Sequence, residues 1–219
     1  MDKPPPKKTI PSKRELICEA ALNCYLKNGV GNTSLSSVAK AAKVPHTLVL
    51  YYYPTMDGLF HDIVLKVLET LKDVTLRAIE ENLDDPRKMM IAYVWAPFIW
   101  ARDYPGFETL WCYFYYQTRW SQEILDLNSS IRKLGRERIS AMIYEGIAKK
   151  IFQYQNDRSV DAVAFQIQSL ITGALLQAYT ENNMNKEQIA EETAKSALEL
   201  IGDKPTRAQK KKNTLTKRR

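Results

Sequence analysis

Apolar residues recur along this chain at spacings of three and four, and stretches of strict alternation are almost absent, so the pattern predicts helices throughout. "SKRELICEAALNCYLKNG" (12–29) starts on Ser12 as an N-cap, carries the stripe Ile17, Ala21, Cys24 and Tyr25, and stops at Gly29. "TSLSSVAKAAKV" follows, a short helix capped by Thr33 or Ser34 that buries Leu35, Val38 and Ala39, with a break near Lys43 and Val44. Pro45 and Pro54 then bracket another short helix, "PHTLVLYYYP". Thr55 caps a long helix whose stripe is Leu59, Ile63, Val67, Thr70 and Val74, and Pro86 restarts the next. Pro97 should kink that helix, and "DYPG" (103–106) should stop it. Further helices are predicted over about 107–116, 121–153, 158–181 and 186–201, giving nine without internal repeat. The fold class expected is all-α: a three-helix N-terminal domain followed by a larger helical one.

The two short helices, joined by a tight turn behind a first helix, follow the helix-turn-helix plan. Successive side chains of a helix turn by about 100°, so Tyr51, Tyr52 and Tyr53 fan over roughly 200° and at least one phenol faces outward. Val49 and Tyr53 share a face that closes a small core with Val38 and Val44. Thr47 and Tyr51 lie opposite, flanked by Leu48 and Leu50, with His46 and Tyr52 nearer the boundary. An exposed tyrosine is a flat apolar group with a hydroxyl, suited to packing on sugar and reaching a phosphate. The expected DNA-contacting residues are therefore His46, Thr47, Tyr51 and Tyr52, with Ser34 and Ser36 of the preceding helix reaching phosphate. Lys13 and Arg14 join them from the basic arm.

Charge sharpens this picture. The net +7 is divided into +4 on residues 1–14, +7 on residues 203–219 and −4 on the body between them. Such ends are either solvated tails or nucleic-acid arms. The first arm (Lys3, Lys7, Lys8, Lys13, Arg14 among four prolines) is expected to lie along the DNA, and the second to remain a solvated tail. The domains expected are a basic Pro-rich arm over 1–11, a DNA-binding domain over 12–61, a helical body over 62–202 and a basic tail over 203–219.

Other chemistry is thinly supported. Cys18, Cys24 and Cys112 are odd in number and lack metal-ligand spacing, so reduced thiols are expected and no metal site. His46 and His61 are the only histidines, and there is no Gly-rich phosphate loop or nucleophile elbow, so no enzyme and no cofactor are expected. "IAYVWAPFIWA" (91–101) is too short to span a bilayer and no apolar segment follows the opening charges, so the expectation is a cytoplasmic, nucleoid-associated protein without membrane contact.

"GNTSLSSVAKAAKVPHTLVLYYYPTMDGLF" resembles the DNA-binding segment of the TetR-type (tetracycline-repressor-like) transcriptional regulators. Gly31, Ser34, Val38, Ala39, Ala42, Val44, Val49, Tyr52, Tyr53 and Leu59 fill matching positions of that family's pattern. Four positions depart from it. Lys43 stands at the usual turn glycine, predicting a left-handed non-Gly residue. Pro45 replaces the usual capping serine, Leu50 a tyrosine that often touches phosphate in relatives, and Met56 a phosphate-contacting lysine. The resemblance implies a homodimer on palindromic double-stranded operator DNA, with a small effector bound in the body.

Twelve of the 22 aromatic residues fall within residues 93–120, including all four tryptophans. Rings crowded beside a Pro kink and a Pro-Gly break favour a cavity for an apolar or aromatic effector, with Phe98, Trp100, Tyr104, Phe107, Trp111 and Tyr115 as its expected lining. For the dimer, the spacing of Leu170, Gly173, Ala174 and Gln177, and of Ile189, Thr193, Ala197 and Leu200, offers two helical faces for a four-helix interface. The functional expectation is a repressor released from its operator by its effector. The alternative is a sequence-tolerant nucleoid-type protein binding nucleic acid through its tails.

Overall fold

The computed structural model describes residues 11–154 and 157–203, and nine α-helices occur among them. The basic arm through residue 10 and the tail from residue 204 lie outside the described residues, so the expectations placed on Lys3, Lys7, Lys8 and the last basic run do too. In chain order the helices are α1 (Lys13–Asn28), α2 (Leu35–Ala42), α3 (His46–Tyr52), α4 (Met56–Glu80), α5 (Pro86–Asp103), α6 (Phe107–Gln117), α7 (Gln122–Ala148), α8 (Val160–Thr180) and α9 (Lys186–Leu200). A 3-10 turn, Val30–Asn32, follows α1 and was not foreseen; Gly29, at φ 79°, sets it up. The chain divides into two units after Glu69, inside α4, eight residues beyond the boundary expected at 61. The shift has a local cause: the N-terminal half of α4 works within the first unit, where Phe60 meets Tyr25 ring to ring at 6.1 Å and Asp62 binds Tyr53.

In the first unit, caps and stripe act together. Ser12 accepts from the Glu15 N–H while the Glu15 carboxylate accepts from the Ser12 N–H, satisfying two donors that α1 would otherwise leave open. Ser34 and Ser37 repeat the device on α2. Ile17, Ala21, Val38, Val49, Leu59 and Ile63 lose all contact with solvent and form the apolar interior of this unit.

In the second unit, α5 packs on α7, α8 and α9, and α7 lies along α8. Met90, Val94, Ile139, Ile143, Val163, Ile167 and Ala197 make a continuous core. Pro97 sits inside α5, which continues to Asp103, so the carbonyl of Tyr93 has no N–H to accept from at Pro97. Asp85 caps α5, and Tyr104 and Gly106 (φ 91°) close it and open α6, as the "DYPG" run requires. Helix α7 ends at Ala148 rather than continuing to 153. Lys150 adopts φ 56°, and the N–H groups of Ile151 and Phe152 turn back to the Gly146 carbonyl at 2.9 and 3.1 Å. Phe152 is thereby buried against Gly146, where a Cβ would stand only 2.0 Å from its ring. The apolar spacing of Ile147 and Ile151 imitates a helix that this fold-back interrupts.

The two faces expected to form a dimer interface fare differently. On α8, Leu170, Gly173 and Gln177 are exposed, whereas on α9 Thr193 and Ala197 are buried in the chain's own core. The α9 face therefore covers the chain's own core. Among the described residues no helix is long and apolar enough to cross a membrane.

Candidate functional site

Helix α3 is two turns long, and its burial divides cleanly by face. Val49 is inaccessible and Leu48 and Tyr52 are half-buried, while His46, Thr47, Leu50 and Tyr51 are exposed along one arc of about 140°. Tyr51 is the most exposed, at 78%. Its ring stands edge-on to Tyr52 at 5.1 Å, which holds the two phenols in a fixed relation. The expected outward residues Thr47 and Tyr51 are brought together with His46, and Tyr52 lies at the boundary. Leu50, expected beside Thr47 and Tyr51 but not among the contacting residues, sits at the middle of the outward arc. The signal was available: it is four residues from His46 and three from Thr47.

Helix α2 turns into α3 through Lys43, at φ 55° and ψ 44°, the left-handed conformation foreseen for a residue standing where glycine is usual. Val44 then donates to the Ala39 carbonyl at 3.1 Å, closing the end of α2. Pro45 stands at the N-cap of α3 with no side chain to cap it. At the other end of α2, Ser36 is exposed. Ser34 is also exposed, but its N–H donates to Ser37 Oγ at 2.9 Å, so only its hydroxyl hydrogen remains for a phosphate.

The orientation of α3 is fixed by a polar clasp that the sequence reading missed. The Tyr53 hydroxyl donates to Asp62 Oδ2 at 2.6 Å. Arg14 closes on the same carboxylate through Nε at 2.9 Å and Nη2 at 3.1 Å, with its guanidinium 5.5 Å from the centre of the Tyr53 ring. Burial pushes the Asp62 carboxyl up, but the hydrogen bonds from Tyr53 and Arg14 outweigh it and leave it below the usual aspartate range. Burial and the bond to Asp62 raise the Tyr53 phenol, so it stays a donor. Three helices, α1, α3 and α4, are thus tied at one point. Arg14, expected on DNA, makes this bidentate pair while 58% of its side chain stays exposed, and Lys13 at the start of α1 is exposed as well. No sequence spacing connects residues 14, 53 and 62, which is why the clasp was not legible.

In the second unit the expected effector residues mostly pack on one another. Trp100 is wholly buried and donates from Nε1 to Thr70 Oγ1 at 2.8 Å. Phe107 lies 6.2 Å from it and stacks on Tyr104 at 5.3 Å, and Trp111 meets Tyr115 at 4.6 Å. A half-open groove of about 370 Å³ lies beside them, walled by Trp95, Phe98 and Tyr179 and bordered by Glu108, Lys186 and Glu187. Of the six expected lining residues Phe98 alone faces this groove. Tyr104 and Phe107, and Trp111 and Tyr115, pack on each other, and this groove lies where α5 meets the end of α8 and the start of α9. Among the described residues no group of three His, Cys, Asp or Glu could hold a metal ion.

Residues 17–63 match the family described as "Bacterial regulatory proteins, tetR family". Residues 17–63 thus form a DNA-binding segment of the tetR family. Among similar proteins, the HTH-type transcriptional regulator RutR of Escherichia coli (strain K12) is 28% identical over 107 residues, 48% of this chain and 49% of the relative. The HTH-type transcriptional regulator BetI of Stenotrophomonas maltophilia (strain R551-3) is 29% identical over 90 residues, 41% and 46% of the two chains. The chain thus spans about half the length of these relatives. In fold the likeness is longer: the crystal structure of a putative transcriptional regulator from Pseudomonas aeruginosa PAO1 superposes with a TM-score of 0.69 at 17% identity, over 85% of this chain and 88% of that one. The TetR match runs from Ile17 through Ile63, enclosing α2, the Lys43 turn, α3 and the Asp62 end of the clasp.

Proposed function

We propose that this TetR-family chain is a dimeric transcriptional repressor that binds operator DNA through α2 and α3 and is released by a small effector. The observation that carries the reading is the outward arc His46–Thr47–Leu50–Tyr51, held by a buried opposite face and the Arg14–Tyr53–Asp62 clasp. Within it, Thr47 and Tyr51 supply hydroxyls for phosphate or base edges, His46 a ring nitrogen, and Leu50 an apolar surface for a thymine methyl. Ser34, Ser36 and Lys13 add phosphate contacts around that centre. One such helix reads few base pairs, so affinity calls for two half-sites and a two-fold dimer. Helix α8 supports the dimer with an exposed stripe of Phe165, Leu170 and Leu176, while Gly173 has open space where a Cβ would stand, leaving room for a partner helix. The effector would occupy the groove beside Phe98.

Footprinting against excess random competitor DNA tests the reading. A discrete protected palindrome with a dimer in sedimentation supports it. Uniform coverage would favour the sequence-tolerant alternative, and a monomer at micromolar concentration would remove the two-fold arrangement.

A further inference from the structure

The groove of the second unit carries chemistry beyond its aromatic walls. Its opening holds a cation already: Lys186 Nζ lies 4.0 Å from the centre of the Tyr179 ring. Lys186 is the first residue of α9, capped by Asn185, and it is exposed. A positive charge is disfavoured at that end of a helix, so neither the helix dipole nor burial anchors the ammonium there. The ring face itself attracts it. Asn183, at φ 61°, turns the chain sharply between α8 and α9 and so returns Lys186 to the last turn of α8, where Tyr179 stands.

Two carboxylates accompany that ring. Glu108 and Glu187 line the same groove as Tyr179, and burial, with these two acids adding, holds its phenol above the usual range. Glu108 keeps one oxygen on the Gly106 N–H at 2.8 Å. The groove's other cation, Arg102, is turned onto Asp103 at 2.9 Å. Aromatic faces from Trp95, Phe98 and Tyr179, with two acids at the rim, form a receptor for positive charge on an apolar body.

We propose that this groove binds an organic ammonium cation carrying an apolar group, which displaces the Lys186 ammonium from the face of Tyr179 and is held between Glu108 and Glu187. Lys186 is then a tethered competitor that leaves when the ligand enters. The proposal rests on the reading of the chain as an effector-responsive regulator, and it adds a positive charge to the apolar or aromatic effector expected from the sequence.

Benzyltrimethylammonium is the probe, titrated calorimetrically into the full chain beside benzoate and benzyl alcohol. The cation should bind saturably and the other two should not. Lys186→Gln should tighten binding at least threefold by removing the competitor, and Glu187→Gln should weaken it at least threefold. Both positions are exposed, so both variants should fold, and unchanged thermal transitions would verify it. Benzoate binding as tightly as the cation, absence of saturable cation binding, or unchanged or weaker binding in Lys186→Gln would overturn the proposal. The same preparation is footprinted in parallel. A protected operator without cation binding sinks this ligand class alone, whereas cation binding in the stated pattern without a protected operator keeps the site and removes the regulator reading.

Discussion

Two aromatic runs behave oppositely in this protein. Across 51–53 the three tyrosines go from 78% exposed at Tyr51, through half-buried Tyr52, to 2% at Tyr53. Across 93–120 five of the twelve large rings are buried, with Trp100 at 0% and Phe114 at 2%, five are half-buried and two are exposed. The residue types are nearly the same; the neighbours differ. Helix α3 packs against α2 on one side, so a ring 140° from its first residue stays outside. Helix α5 is covered by α7, α8 and α9, so almost any direction from it meets another helix. Where α6 and the turn after it lack such cover, rings emerge as well, at Tyr116 and Trp120. Aromatic density therefore reports on function only when the packing around it is known.

The largest expected effect tests the buried run. Trp100→Ala would remove a fully buried ring and its hydrogen bond to Thr70, and should cost roughly 3–5 kcal/mol of stability in urea denaturation. A loss below about 1 kcal/mol would mean that the ring occupies a loose cavity and that the contrast between the runs is false.

The exposed run predicts the reverse. Tyr51→Ala should weaken operator binding by about 1–3 kcal/mol with its thermal transition nearly unmoved. Lost stability with unchanged affinity would put the phenol in a structural role.

What could be read in advance follows from the range of the interactions. The helices, the caps at Ser12 and Ser34, the left-handed Lys43 and the buried set Val38, Val49 and Tyr53 depend on neighbours a few residues apart, so periodicity and turn chemistry exposed them. The outward position of Tyr51 followed from the same geometry. The Arg14–Asp62 pair spans 48 residues and the groove joins α5 to the α8–α9 turn; neither leaves a local trace. Arg14 shows the limit: its place beside a basic arm is legible, whereas the Asp62 carboxylate that it also binds is not. Of the rings of 93–120, Trp95 and Phe98 line the groove while Tyr104 and Phe107, and Trp111 and Tyr115, pack on each other, a division that depends on helix packing and not on local sequence.

The clasp explains how a half-exposed tyrosine run keeps its orientation, and pH probes it. Folded Asp62 holds its proton less tightly than the unfolded side chain does. As pH falls, the unfolded chain therefore takes up the proton first, and acidification favours unfolding. The contribution is complete above about pH 4 and fades as pH drops through the folded value. Asp62→Ala should cost roughly 1–2 kcal/mol at neutral pH and flatten the acid limb of the stability curve. An acid limb as steep as in the parent protein would assign that limb to other carboxylates.

The smallest effect expected is at the turn that aims α3. Lys43 holds φ 55° with a Cβ present, a conformation costing about 1–2 kcal/mol. Lys43→Gly would remove that crowding, but it would also loosen the unfolded chain by about 0.4–1 kcal/mol. A net gain of about 0.5 kcal/mol is expected, seen as a slightly higher denaturation midpoint with unchanged slope. The lysine offers something in return for the strain: an exposed charge beside the reading helix. If it neutralises a phosphate, its loss should lower the slope of log affinity against log salt by about 0.9. Higher stability together with a shallower salt dependence would show that the strained lysine is retained for DNA. Higher stability with an unaltered slope would place its ammonium away from the backbone and leave Tyr51, Thr47 and the serines of α2 to carry the contact.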